Sequence, residues 1–142
     1  MRNVIAAALV AGAVFSISPA SAEILRYTAK LDGASETPPN ASKGVGAADV
    51  TVDTVQRVIS WKVTYSGLSG PATMTHFHGP GASGKAAGVQ VAFTGAMASP
   101  LIGTAPVSDG QIGDIRAELW YINIHTAANP KGEIRGQVVK AH

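Results

Sequence analysis

The chain has no cysteine, and that single absence closes two routes. An exported domain without disulfides must hold itself together through its core. A metal site without thiolates must be built from imidazole, carboxylate or thioether groups. Histidine is scarce as well, with four in 142 residues. No basic residues cluster into the kind of face that counterion release on nucleic acid requires, so nucleic acid is not an expected partner. No apolar run reaches the roughly 20 residues that span a bilayer. Repeats, heptads, a nucleophile elbow and a carboxylate pair are all missing. Gly79-Pro80-Gly81 has no lysine placed as a phosphate-binding loop would have it.

What is present begins with Met1-Arg2-Asn3, an apolar stretch over residues 4–17 and then Ser18-Pro19-Ala20-Ser21-Ala22. A basic start, a short apolar centre and a small-x-small site predict a secretory signal peptide over residues 1–22, cleaved after Ala22. The working protein is then a single exported domain, residues 23–142, periplasmic or secreted and free of the membrane once cleaved. Removing Arg2 from the 11 basic residues leaves ten against nine acidic ones, a formal charge of +1.

Apolar residues recur mostly at every second position, which predicts an all-β fold. Leu25, Tyr27, Ala29 and Leu31 share one face of a first strand. Ala48, Val50 and Val52, then Ile59, Trp61, Val63 and Tyr65, give a hairpin with one buried face. Residues 72–78 form the next strand, and Val89, Val91 and Phe93 another. Residues 120–126 and 133–139 close the chain as a hairpin through Asn129-Pro130-Lys131-Gly132. Residues 33–46, with Pro38-Pro39, read as an ordered surface loop. The loop over residues 79–85 is too rich in glycine and polar residues to be expected to pack. Residues 96–107 carry no assignable pattern. Ser108 and Gln111 have capping-box spacing, so a short helix is expected near 108–119. Seven or eight short antiparallel strands with regular turns fit a Greek-key β sandwich or barrel.

Three of the four histidines fall in two short segments, Thr75-His76-Phe77-His78-Gly79-Pro80 and Asn123-Ile124-His125-Thr126. In an extended strand His76 and His78 point to one face while Phe77 anchors the other in the core. That is a two-nitrogen clamp, and His125 on a second strand offers a third nitrogen. Three imidazoles suit copper, with zinc as the alternative. Met74 shares the face of the pair, as a soft axial ligand or as core filler, and Met97 is a second thioether candidate. An imidazole ligand needs an acceptor for its other nitrogen, and Glu118 and Glu133 flank the His125 segment. If the last hairpin pairs across Asn129-Pro130, Arg135 lies opposite His125. A cation there would draw in a small anion, with Arg116 and Lys131 as rivals.

Leu31-Asp32-Gly33-Ala34-Ser35-Glu36-Thr37-Pro38-Pro39, His76-Phe77-His78-Gly79-Pro80, Tyr121-Ile122-Asn123-Ile124-His125-Thr126, Asn129-Pro130 and Gly132-Glu133-Ile134-Arg135-Gly136-Gln137 together resemble the CHRD domain, named for chordin. The match runs over nearly the whole mature chain, and the signal-bearing single domain looks like the bacterial form of that family. The histidine pair with a later third histidine and an arginine is also similar to the copper site of copper-zinc superoxide dismutases. That second resemblance implies copper on His76, His78 and His125, and Arg135 guiding superoxide. The chain departs from it in lacking a disulfide and the histidines for a zinc site, so the version implied is copper-only. A copper buffer or carrier using the same ligands without turnover, and a non-enzymatic extracellular binding module, are the other readings.

Overall fold

A computed structural model describes Ser16, Ser18 and residues 21–142, and the expected signal peptide lies almost wholly outside the described residues. Among the described residues nine strands and one helix follow in the order β1 (Ile24–Asp32), β2 (Val45–Asp53), β3 (Val58–Ser66), β4 (Ala72–His78), β5 (Val89–Ala92), β6 (Leu101–Pro106), α1 (Asp109–Arg116), β7 (Tyr121–Thr126), β8 (Ile134–Gln137) and β9 (Val139–Lys140). The all-β expectation holds. Every pairing is antiparallel, and the strands form one nearly closed, barrel-like sheet in the order β5-β4-β7-β8-β1-β2-β3-β6, with β9 also on β1.

The alternation read from the sequence is what fills the interior. Tyr27, Ala29 and Leu31 of β1, Val50 and Val52 of β2, and Ile59, Trp61 and Val63 of β3 are buried, while their neighbours along each strand face outward. From the other half Phe77, Ile122, Ile124 and Ile134 point into the same core. Trp61 stacks on Phe93 with centroids 4.5 Å apart and meets Phe77 edge-on at 5.4 Å, and Phe77 also touches Trp120 at 5.7 Å. These aromatic contacts join the halves across the open side between β5 and β6. Phe77 is fully buried among them, so its sequence neighbours His76 and His78 are fixed on the outside.

The halves also meet at a seam, where β8 touches β1 through the single register pair Asp32↔Arg135. A Cβ on Gly136 would come within 2.2 Å of the Lys30 carbonyl oxygen, so only glycine lets the strands approach this closely. The unassigned stretch resolves in part into β6, an edge strand on β3. Its pattern was illegible because Ile102 points to solvent and Gly103 supplies no side chain. The predicted closing strand is split by Val138, which is buried and donates to the Trp120 carbonyl at 2.9 Å. The helix is where the capping box placed it. Ser108 accepts from the Gln111 amide at 3.1 Å, the Gln111 side chain accepts from the Ser108 amide at 2.9 Å, and Ile112 and Ile115 face the core.

Among the described residues no helix is long and apolar enough to cross a membrane.

Candidate metal centre

All six residues of β7 are buried, although alternation should leave three of them wet. The cause is a second layer on the outer face of β4, β7 and β8. There Tyr121, Asn123, His125 and Arg135 stand beside His76 and His78, covered by the loops over residues 33–44 and 79–88. Polar side chains fill this layer, so each needs a hydrogen-bond partner.

The three histidines converge. One ligating nitrogen from each of His76, His78 and His125 lies within 4.8 Å of the other two, with His125 at 7% exposure and the other two partly exposed. His76 Nδ1 is 3.2 Å from His125 Nε2. His78 Nδ1 bonds to the Ala87 carbonyl at 2.9 Å, and His125 Nδ1 to the Pro130 carbonyl at 2.9 Å. A carbonyl can only accept, so both Nδ1 atoms carry the proton and both Nε2 lone pairs face inward. Glu118 and Glu133, expected as candidate acceptors for the histidines, do not serve that purpose. Glu118 Oε1 accepts from the Lys140 amide, and Glu133 is engaged elsewhere. Backbone carbonyls take their place, and backbone leaves no trace in residue identity.

Burial, reinforced by repulsion from His125 and His78, holds the His76 imidazole below its ordinary range. Burial lowers His78 too; its bonds to Ala87 and Asn123 oppose the shift, while the charges of His125 and Arg135 add to it. Near neutral pH both are therefore unprotonated and able to ligate.

Arg135 is not opposite His125 as the hairpin register suggested. Its partner across the strands is Asn123, because β7 and β8 pair Ile124 with Ile134 after a longer turn. The guanidinium is 1% exposed and lies 3.4 Å from the centroid of the Tyr121 ring, which itself stacks on His78 at 4.9 Å. Arg135 donates to the carbonyls of Lys85 at 2.8 Å and Ala82 at 3.3 Å and to Thr37 Oγ1 at 3.1 Å. Gln137 donates to the Gly81 carbonyl at 2.9 Å. These bonds correct the expectation that the glycine-rich loop would not pack: it is tied down, and Gly79 and Gly81 are buried.

The remaining candidates scatter. Met74 lies on the same outer face, in register with His125, and is 47% exposed. Met97 packs against the core, where its carbonyl accepts from Tyr65. Arg116 pairs with Glu23 at 2.6 Å on the surface, and Lys131 is exposed in a cleft of about 270 Å³ beside Pro38, Pro39 and Pro130. Two residues that the sequence reading left out belong to the layer. Asn123 Oδ1 lies 2.9 Å from His78 Nε2 and 3.0 Å from His125 Nε2, and Glu36, 5% exposed, sits behind Asn123. Asn123 was already on the histidine face by alternation, which is the signal that could have found it.

An antiparallel β barrel with a three-histidine cluster on the covered outer face of one half is thus the class of protein that the coordinates define. The CHRD domain matches residues 27–138, and the chain belongs to the CHRD-domain family. Domains of this family are typically extracellular. No curated protein and no solved structure matches the chain.

Proposed function

We propose that this is an exported copper protein that dismutes superoxide, and the observation that carries the reading is the convergence of three imidazole nitrogens within 4.8 Å. His76, His78 and His125 would hold the ion. Their donor chemistry fits it: three neutral nitrogens, two of them fixed in tautomer by carbonyl acceptors, with no thiolate. Copper would supply a one-electron couple, so that two superoxide ions and two protons give dioxygen and hydrogen peroxide.

The chain's own contribution is position and field. Ala87 and Pro130 orient two of the rings, and the partial exposure of His76 and His78 gives a small anion its way in. Arg135 is buried beneath Tyr121, so its charge acts on the site through protein rather than water, while an anion approaching from solvent feels it through the salt. It need not touch the anion to favour its arrival. Zinc in the same ligands is the alternative metal. Met74, a thioether in register with His125, favours the second reading, a copper carrier without turnover.

Copper added to the stripped mature protein is expected to bind one to one and give a paramagnetic resonance signal with nitrogen splitting, and the loaded sample to speed superoxide decay. Arg135→Ala should slow that decay at equal copper content and flatten its dependence on ionic strength. A copper signal without decay would leave the carrier; no stoichiometric copper would leave an extracellular binding module.

A further inference from the structure

We infer that the Asn123 side-chain oxygen is the fourth donor of this metal site, giving it three nitrogens and one oxygen and a preference for divalent over monovalent ions. The inference rests on the three-histidine reading and goes beyond it.

Four donor atoms crowd one small space: His76 Nδ1, His78 Nε2, His125 Nε2 and Asn123 Oδ1. The close separations are 3.2 Å between His76 and His125, 2.9 Å between His78 and Asn123, and 3.0 Å between His125 and Asn123. Ligands about 2.0 Å from a tetrahedral ion stand about 3.3 Å apart, so these spacings are near those of a first coordination sphere. Hydrogen bonding accounts for one of them at most, the 3.2 Å contact between His76 and His125. With protons on the Nδ1 atoms that face Ala87 and Pro130, both Nε2 atoms are acceptors, and a side-chain carbonyl oxygen aimed at two acceptors is repelled by both. At most one proton, on His76 Nδ1, is left to serve the group. A cation reconciles all four lone pairs.

The other end of the Asn123 amide is also prepared. Its nitrogen shares a tight space with the Glu36 carboxyl above Gly132. There a Cβ would come within 2.8 Å of Asn123 Nδ2 and 2.4 Å of Glu36 Oε1. Gly132 has φ +125°, so no other residue replaces it without strain. Glu36 Oε1 is buried and has no hydrogen-bond partner among the described residues, so its acceptor capacity is unspent beside the amide nitrogen. A carboxyl acceptor placed at the nitrogen end would favour the amide orientation that turns the oxygen end toward the histidines, as an outer-shell partner does for a ligand. Glu36 is thereby a positioning residue, and its burial in the 33–44 loop has a use.

An amide oxygen is a hard donor, favourable to zinc(II) and copper(II) and of little value to copper(I), which is content with nitrogen alone. The test is the ratio of affinities. Titrating metal-free protein with zinc(II) and, under reduction, with copper(I) should show that Asn123→Leu weakens zinc(II) by about tenfold or more while copper(I) changes little. Asn123→Asp, which keeps the shape and adds charge, should bind zinc(II) at least as tightly as the unsubstituted chain, and it decides the matter if the leucine variant does not fold. The copper(II) resonance spectrum should differ between the unsubstituted and leucine proteins. Equal weakening of both ions, an unaltered spectrum, or weaker zinc(II) binding by the aspartate variant would overturn the assignment and leave the histidine site standing. If the unsubstituted protein binds neither ion, the site itself falls, and this assignment with it.

Discussion

His76→Ala is expected to weaken copper binding by more than about 100-fold, since the loss of an orienting partner alone costs 10–100-fold and here a ligand is removed. The same change should leave the metal-free protein's stability within about 0.5 kcal/mol of the unsubstituted chain. The second half follows from the contacts. His76 is partly exposed and among the described residues its side chain bonds only to His125, whereas His78 and His125 each hold a backbone carbonyl of a covering loop or turn. His78→Ala and His125→Ala would therefore lose metal and structure together. Isothermal titration with copper beside urea unfolding of the metal-free protein separates the two effects. Undiminished affinity in His76→Ala would remove the histidine cluster as the binding site.

The largest effect on folding is expected at Glu133, which is 1% exposed and bonds to Ser42, Ser69 and Thr126 rather than to a histidine. Its carboxylate accepts from Ser42 Oγ at 2.7 Å, the Ser69 amide at 2.8 Å, Ser69 Oγ at 2.7 Å and Thr126 Oγ1 at 2.5 Å. Burial pushes the group up, but the bonds from Thr126, Ser42 and Ser69 outweigh it and bring it down from 4.5 to about 2. A carboxyl depressed in the fold stabilises it above the unfolded value, and that contribution is lost as pH falls from about 4.5 toward 2. At about 1.4 kcal/mol per unit the difference amounts to about 3 kcal/mol. Glu133→Gln should accordingly lose about 3 kcal/mol at pH 7, or on the order of 10 °C in melting temperature. The gap between variant and unsubstituted chain should close as pH drops through that window. Urea titrations at pH 7 and pH 3 measure it, and a gap that stays constant would mean that the ionised carboxylate is not the acceptor.

Much of this was legible in residue order, and what was hidden has physical reasons. The first three strands were readable because one face of each is wet, so alternation survives in the sequence. The capping box was readable because it is local. The histidine pair was readable because period two in a strand is a geometric fact, and His125 arrives beside it through the pairing of Met74 with His125 and His76 with Asn123. The edge strand β6 was hidden because it buries little beyond Leu101. The place of Arg135 was missed because register depends on the turn, and a shift of two residues keeps the same face while changing the neighbour. The carbonyls of Ala87 and Pro130 were unreadable because every residue has one. The glycine-rich loop after β4 was misjudged from composition, since glycine and serine are small and polar whether they flop or lie tethered by Arg135 and Gln137.

The histidine layer lies outside the sheet, back to back with the core, and successive residues of β4 and β7 serve the two in turn. Heritable change can then act on one without the other. Substitutions at Phe77, Ile122 and Ile124 bear on whether the barrel exists, whereas one at His76 bears on the outer layer alone. On the metal-binding reading, a lineage could lose or regain its metal chemistry through His76 on a scaffold whose folding is untouched, and two chains with the same barrel could differ in what they carry.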